Sequence, residues 1–273
     1  MNNQMLAHFR DAMKEYQDEY ILIGGNACAL VFEQEDVPFR PTEDLDIVLV
    51  IEDFSEAFAK TLDSYISEGG YLGKNYKTDD AKSQGNVYRF TLPQGHKNRG
   101  TFPAEIELFS RAPDEFVPFP GAHTIPIETG IGTSNFSAIL FDDDYYAFLR
   151  ENITNIQGVN VPTHQCLTML KCCAWIGNKE LFAEGEITAD RIGDVHKHAF
   201  DISRLLGLFE EEDGVTLLPE RIIQDLATTL TFLNDPKELE VLQAYIGEDA
   251  YNALPTQFED APELLELFYS VAK

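Results

Sequence analysis

Residues 20–50 read YILIGGNACALVFEQEDVPFRPTEDLDIVLV. The apolar run Tyr20 to Ile23 suits a buried strand and ends in Gly24-Gly25. Small apolar residues follow at helical spacing from Asn26 to Phe32. This is a strand–turn–helix unit whose helix N-terminus faces the strand exit, and its two glycines let the backbone approach a phosphate. Pro38 and Pro41 break the chain before a second apolar run, Leu45 to Ile51, continuous enough for a strand covered on both faces. Asp44 and Asp46 stand at the head of that run, two residues apart, so their side chains share one strand face.

Two carboxylates on one strand face suit a divalent cation, and a third donor is expected from a neighbouring strand. The segment AEIELF (104–109) alternates and presents both Glu105 and Glu107 on one face. Glu107 is the favoured third acid, because it lies between Ile106 and Leu108 and runs on into apolar Phe109. Crowded carboxylates raise one another's pKa unless a cation sits among them. Oxygen-only ligands with open positions suit Mg²⁺ or Mn²⁺. Such ions activate an attacking hydroxyl and neutralise a leaving pyrophosphate, and Glu107 is placed to take the hydroxyl proton.

The ordering IGGNACAL, then RPTEDLDI from Arg40, then Ile106-Glu107-Leu108 resembles the DNA polymerase β-type nucleotidyltransferase superfamily. Within it, the chain is most similar to the abortive-infection toxin-type (AbiEii-like) bacterial nucleotidyltransferases. The resemblance implies a small mixed sheet flanked by helices, two catalytic metals and a nucleoside triphosphate (NTP) substrate. It assigns Asp44, Asp46 and Glu107 to metal and catalysis, and Gly24 and Gly25 to the triphosphate turn. Asn26 stands where the group carries Ser or Thr and keeps an amide able to donate to phosphate. The likeness continues into later helices. Leu167-Thr-Met-Leu-Lys171 matches one motif, and Lys197-His198-Ala-Phe-Asp201-Ile a second, with His198 in place of the usual acid. Lys171, Lys197 and Asp201 are thereby implied nucleotide-binding residues. Lys197 and Asp201 are four apart and share a helix face. A toxin–antitoxin setting with an antitoxin-like partner is implied by the resemblance alone.

The rest of the chain is expected to be α+β: a sheet domain over residues 1–142 and a helical domain over 143–273. Predicted helices cover Met5 to Tyr20, the segment holding Phe58 to Ile66 and closed by Gly69-Gly70, Thr163 to Ile176, Ala189 to Leu208, Glu220 to Leu233, Pro236 to Tyr245 and Pro262 to Val271. Strands are expected at Val87 to Leu92, Ala104 to Ser110 and Phe136 to Phe141, with an irregular stretch from Ala112 to Thr133. Trp175 and Phe182 are core candidates. His196 and His198 are two apart on a helix and cannot chelate together. Cys28, Cys166, Cys172 and Cys173 form no CxxC pair and are expected as reduced, mostly buried thiols.

The 273 residues carry a formal net charge of −27. Such a surface repels nucleic acid at long range. The charge is uneven: Tyr71 to Arg111 holds seven bases (Lys74, Lys77, Lys82, Arg89, Lys97, Arg99, Arg111) against four acids, whereas Leu205 to Lys273 holds fifteen acids against three bases. No apolar run is long enough to span a bilayer and the N-terminus lacks a signal peptide's apolar core, so a cytoplasmic location without membrane partners is expected. The leading expectation is metal-dependent transfer of a nucleoside monophosphate to an RNA, protein or small-molecule hydroxyl. The rivals are an inactive nucleotide-sensing or partner-binding module of the same fold and an antibiotic-type adenylyltransferase.

Overall fold

The computed structural model describes residues 3–75, 87–112, 124–127 and 136–271. It divides into two compact units, Met1–Pro162 and Thr163–Lys273. The helix and hairpin that follow residue 142 therefore belong to the first unit.

The first unit is built on a mixed sheet. Helix α1 (Asn3–Ala12) leads into β1 (Tyr20–Ile23), all four residues of which are buried. Helix α2 (Gly24–Gln34) starts on the glycines themselves, and β2 (Asp44–Leu49) returns antiparallel to β1. Helix α3 (Glu56–Gly69) is opened by Ser55, whose hydroxyl accepts from the Phe58 N–H. It is closed by Gly70 at φ +76°, a left-handed C-cap that favours glycine. The Glu19 carboxylate anchors that start by accepting from Ser55 N–H at 2.6 Å and Ser55 Oγ at 2.9 Å. Strands β3 (Leu72–Asn75), β4 (Val87–Thr91), β5 (Glu105–Ser110), β6 (Thr124–Ile127) and β7 (Phe136–Leu140) complete a sheet of order β1-β2-β5-β4-β7-β6, with β3 pairing β4. Strand β5 runs parallel to β2 and antiparallel to β4. Helix α4 (Asp143–Glu151) and the hairpin β8 (Ile153–Ile156)–β9 (Val159–Pro162) follow; β9 packs on β1, and Asn160 Nδ2 donates to the Gln17 carbonyl in the turn before β1 at 3.0 Å.

The second unit is helical. Helix α5 (His164–Ala183) starts at Thr163, whose hydroxyl accepts from Cys166 N–H at 3.3 Å, and it buries Leu167, Met169, Cys172 and Trp175. It packs on α6 (Ile192–Leu206) and α7 (Glu220–Leu233). Helices α8 (Pro236–Ile246), α9 (Glu248–Asn252) and α10 (Ala261–Phe268) follow, and β10 (Thr216–Leu218) pairs parallel with β11 (Tyr269–Val271).

Several elements depart from the sequence reading. Helix α1 stops at Ala12 and the chain reaches β1 through turns, rather than as a helix to Tyr20. Helix α5 runs on to Ala183, past the expected end at Ile176. The expected helix from Ala189 opens with a single 3-10 turn, and α6 proper starts at Ile192. The stretch from Ala112 to Thr133 lies mostly outside the described residues, yet it contains β6. Hairpin β8–β9 was not expected; its turn places Gln157 at φ +53° and Gly158 at φ +81°. The last expected helix ends at Phe268 and gives way to β11, because Tyr269–Val271 finds a partner in β10, distant in sequence. Phe182 is 39% exposed, not core, since it lies on the outer face of the last turns of α5. The free cysteines match expectation: Cys28, Cys166 and Cys172 are buried and Cys173 is partly so.

Candidate active site

In the first unit the pairing of β1, β2, β5 and β4 brings the glycine turn and four carboxylates together. Ile23 is in register with Asp46, so the chain leaves β1 beside that residue. Gly24 takes φ +70°, and a Cβ there would collide with Asp46 Oδ2. At Gly25 a Cβ would stand 2.8 Å from Thr42 Oγ1. Both glycines are therefore required by close approach, Gly24 to the acid-bearing strand and Gly25 to the segment leading into it. Asn26 is buried, and its Nδ2 donates to the Asp44 carbonyl. In this structure its amide ties α2 to β2 rather than facing outward.

The register of β2 and β5 pairs Asp44 with Glu105 and Asp46 with Glu107. Partners in a parallel pair share a face, so all four acids lie on one side of the sheet, while Leu45, Ile47, Ile106 and Leu108 fill the other. Neighbouring strands are about 4.8 Å apart. Two carboxylates about 5 Å apart repel by roughly 3 kcal/mol at an effective dielectric of about 20, before salt screening.

Among the described residues, an arginine from β4 answers that repulsion. Arg89 on β4 is in register with Glu107; its guanidinium contacts Glu107, and its Nε lies 3.5 Å from Glu105 Oε1. Thr91 Oγ1 also donates to Glu105, at 3.1 Å. Burial pushes the Glu107 carboxyl above its ordinary value; Arg89 opposes this, and Glu105 and Asp44 reinforce it. Burial works against the Arg89 charge, but Glu107 and Glu105 outweigh it and raise its pKa. Arginine stays protonated in either case.

An all-oxygen donor set in paired register on one face fits a hard divalent ion in chemistry. Glu107 is engaged by Arg89, however, and among the described residues no three acidic, histidine or cysteine side chains stand as a metal-holding group. The loop from Pro93 to Pro103 borders the same end of the sheet, where Arg99 NH2 pairs with Glu43 Oε2 at 3.1 Å and Ala104 N–H donates to the Glu43 carbonyl at 2.8 Å. Of the basic segment read from sequence, Lys77 and Lys82 lie outside the described residues.

The glycine geometry carries a prediction. Gly24→Ala meets both a left-handed backbone, about 1–2 kcal/mol for an L-residue, and the Asp46 carboxylate. Gly95 has φ +81° with nothing within 4 Å of its missing Cβ, so Gly95→Ala bears only the backbone cost. Chemical denaturation should show Gly24→Ala as the more destabilised by at least about 1 kcal/mol. Equal losses would contradict the close approach described here.

The second unit holds the other sequence candidates. Lys171 and Asp201 are brought together: Lys171 Nζ lies 3.0 Å from Asp201 Oδ2, and the two side chains are 6% and 0% exposed. Arg204 NH1 approaches the second oxygen of Asp201 at 3.6 Å. Lys197 is not brought to Asp201; it is 40% exposed and lies 3.4 Å from Asp194, three residues back on the same helix. His196 is buried on the opposite side of α6 from these groups and is 5.0 Å from the Tyr245 ring. Burial holds the His196 pKa below its ordinary value of 6.5; Glu238 opposes this and Lys179 adds to it. The unfolded chain thus binds a proton more readily than the fold does. Stability contributed by neutral His196 is present above about pH 6.5 and is lost as pH falls below it. Comparing thermal midpoints at pH 7 and pH 5, His196→Gln should lose less on acidification than the parent chain; an equal drop would contradict a buried neutral imidazole.

A family described as "Nucleotidyl transferase AbiEii toxin, Type IV TA system" matches residues 9–263. The chain belongs to this AbiEii family. No curated protein matches it. The AbiEii match takes in the glycine turn, the paired acids and both helices α5 and α6. Membership makes this a nucleotidyltransferase toxin family protein of the toxin–antitoxin kind. Among the described residues no helix is long and apolar enough to cross a membrane. Arg89 and Thr91 escaped the sequence reading as members of this face. Arg89 sits in VYRFT, whose alternation marks a strand, but nothing local says that this strand lies beside AEIELF.

Proposed function

We propose that this chain transfers a nucleoside monophosphate from an NTP to an acceptor hydroxyl with release of pyrophosphate. Asp44, Asp46 and Glu107 would hold the divalent ion, Mg²⁺ or Mn²⁺. When bound, that ion would polarise the attacking hydroxyl and offset charge on the leaving pyrophosphate. Gly24 and Gly25 would receive the triphosphate tail, with Asn26 keeping the turn against β2. Glu107, its carboxyl pushed above the ordinary range, would accept the hydroxyl proton. Lys171 and Lys197 are proposed nucleotide contacts, and Asp201 a residue that positions Lys171. Lys197 offers exposed charge, whereas fully buried Asp201 would act through Lys171. The acceptor would be an RNA, a protein or a small molecule, and an antitoxin would be the natural partner.

One observation carries this reading: Gly24 lies against Asp46 while the β2–β5 register sets Asp46 beside Glu107. A phosphate-receiving turn and paired acids in contact are what nucleotidyl transfer needs. The test is incubation with Mg²⁺ and each labelled NTP in turn, with total RNA or with the protein alone. Label transfer to macromolecule supports the reading. Tight nucleotide binding without transfer would replace it with a sensing or partner-binding module.

A further inference from the structure

We propose that Arg89 is a resident counter-cation for the third acid, which a divalent ion must displace from Glu107. Metal loading of this face would then be an exchange of cations rather than the filling of a gap. The inference rests on the metal reading above and adds a residue that the reading does not contain.

Three observations support it. First, Arg89 is opposite Glu107 on the neighbouring antiparallel strand, so its side chain is delivered to the carboxylate face by register. Second, one guanidinium spans both candidate third acids, touching Glu107 and lying 3.5 Å from Glu105. Third, the two acids are not held alike: Thr91 Oγ1 also donates to Glu105 at 3.1 Å, so a local hydrogen bond would retain Glu105 if the guanidinium left. Glu107 is the more enclosed of the pair, 15% exposed against 21%, and stands in register with Asp46. Arginine cannot shed its proton, so its charge leaves this position only when the side chain moves. A dication arriving at the same carboxylate meets that fixed positive charge at close range. Arg89 thus keeps the acids compensated before loading and opposes loading until it swings away.

Mn²⁺ binding to the full chain, followed by the loss of the free-ion paramagnetic resonance signal, reads this out without turnover. Arg89→Met should bind Mn²⁺ about tenfold more tightly than the parent, the scale on which one neighbouring opposite charge alters a carboxylate. Glu107→Gln should weaken binding, and adding Arg89→Met to it should bring no gain. Arg89→Gln, which removes the charge and keeps a polar side chain, should also bind more tightly and serves if Arg89→Met fails to fold by circular dichroism; Arg89→Lys, which keeps the charge, should stay near the parent. Unchanged or weaker binding in Arg89→Met would overturn the proposal. So would an undiminished gain in the Glu107→Gln background, since Arg89 would then act only as distant charge. Asp46→Asn distinguishes failure of the underlying reading: parental Mn²⁺ affinity in that variant would remove the metal site itself, and this inference with it.

Discussion

Asp46→Asn is expected to lower NTP-dependent transfer about a thousandfold while leaving the fold intact. A carboxylate that holds a catalytic ion stabilises the transition state by several kcal/mol, and about 4 kcal/mol is a factor of roughly 10³ in rate. The substitution keeps the side chain's shape, so it preserves the packing against Gly24 that forbids a Cβ there. Parent and variant should therefore unfold at similar denaturant concentrations while differing in label transfer. Transfer retained within tenfold of the parent would remove Asp46 from the chemistry. Glu105→Gln and Glu107→Gln extend the test along the parallel register, and the tolerated one is not the third acid.

Lys171→Met is expected to destabilise the second unit by about 3–5 kcal/mol, the usual cost of stripping one partner from a buried ion pair. The magnitude follows from Asp201, which has no exposed surface and whose other oxygen Arg204 approaches at 3.6 Å. An exposed pair would contribute about 1 kcal/mol or less, so the size of the loss decides whether the pair is buried in solution. The double variant Lys171→Met with Asp201→Leu should recover most of the loss, because two apolar groups of similar volume leave no charge behind. Equilibrium urea unfolding measures all three chains. A single-variant loss under about 1 kcal/mol would contradict the burial. Nucleotide affinity in the double variant then reports separately on any contact to the triphosphate.

Much of the site was legible because its signals are local. Gly24-Gly25 after a buried run, and Asp44 and Asp46 at the head of another, are readable from periodicity and turn chemistry alone. The Thr163 cap and the α7 boundaries at Glu220 and Leu233 were equally local. What escaped was long-range. The partner of Asp201 is Lys171, thirty residues away on another helix, not Lys197 one turn away, because burial on the α5–α6 contact outweighs an exposed helix-face pairing. Hairpin β8–β9 hid inside a stretch that begins with a helix, and β11 hid inside an amphipathic pattern. Short apolar runs fit either period until a partner strand selects one.

Sequence by itself determined which candidate groups this protein carries: a glycine turn, an Asp-x-Asp strand and an alternating acidic strand, each encoded within a few residues by side-chain direction and backbone freedom. Only the tertiary structure decided which of them meet. The β2–β5 register put Asp46 beside Glu107, and β4 delivered Arg89 to the same carboxylate. Strand pairing is chosen by the burial of whole faces across the sheet, a sum over distant residues that no local stretch contains.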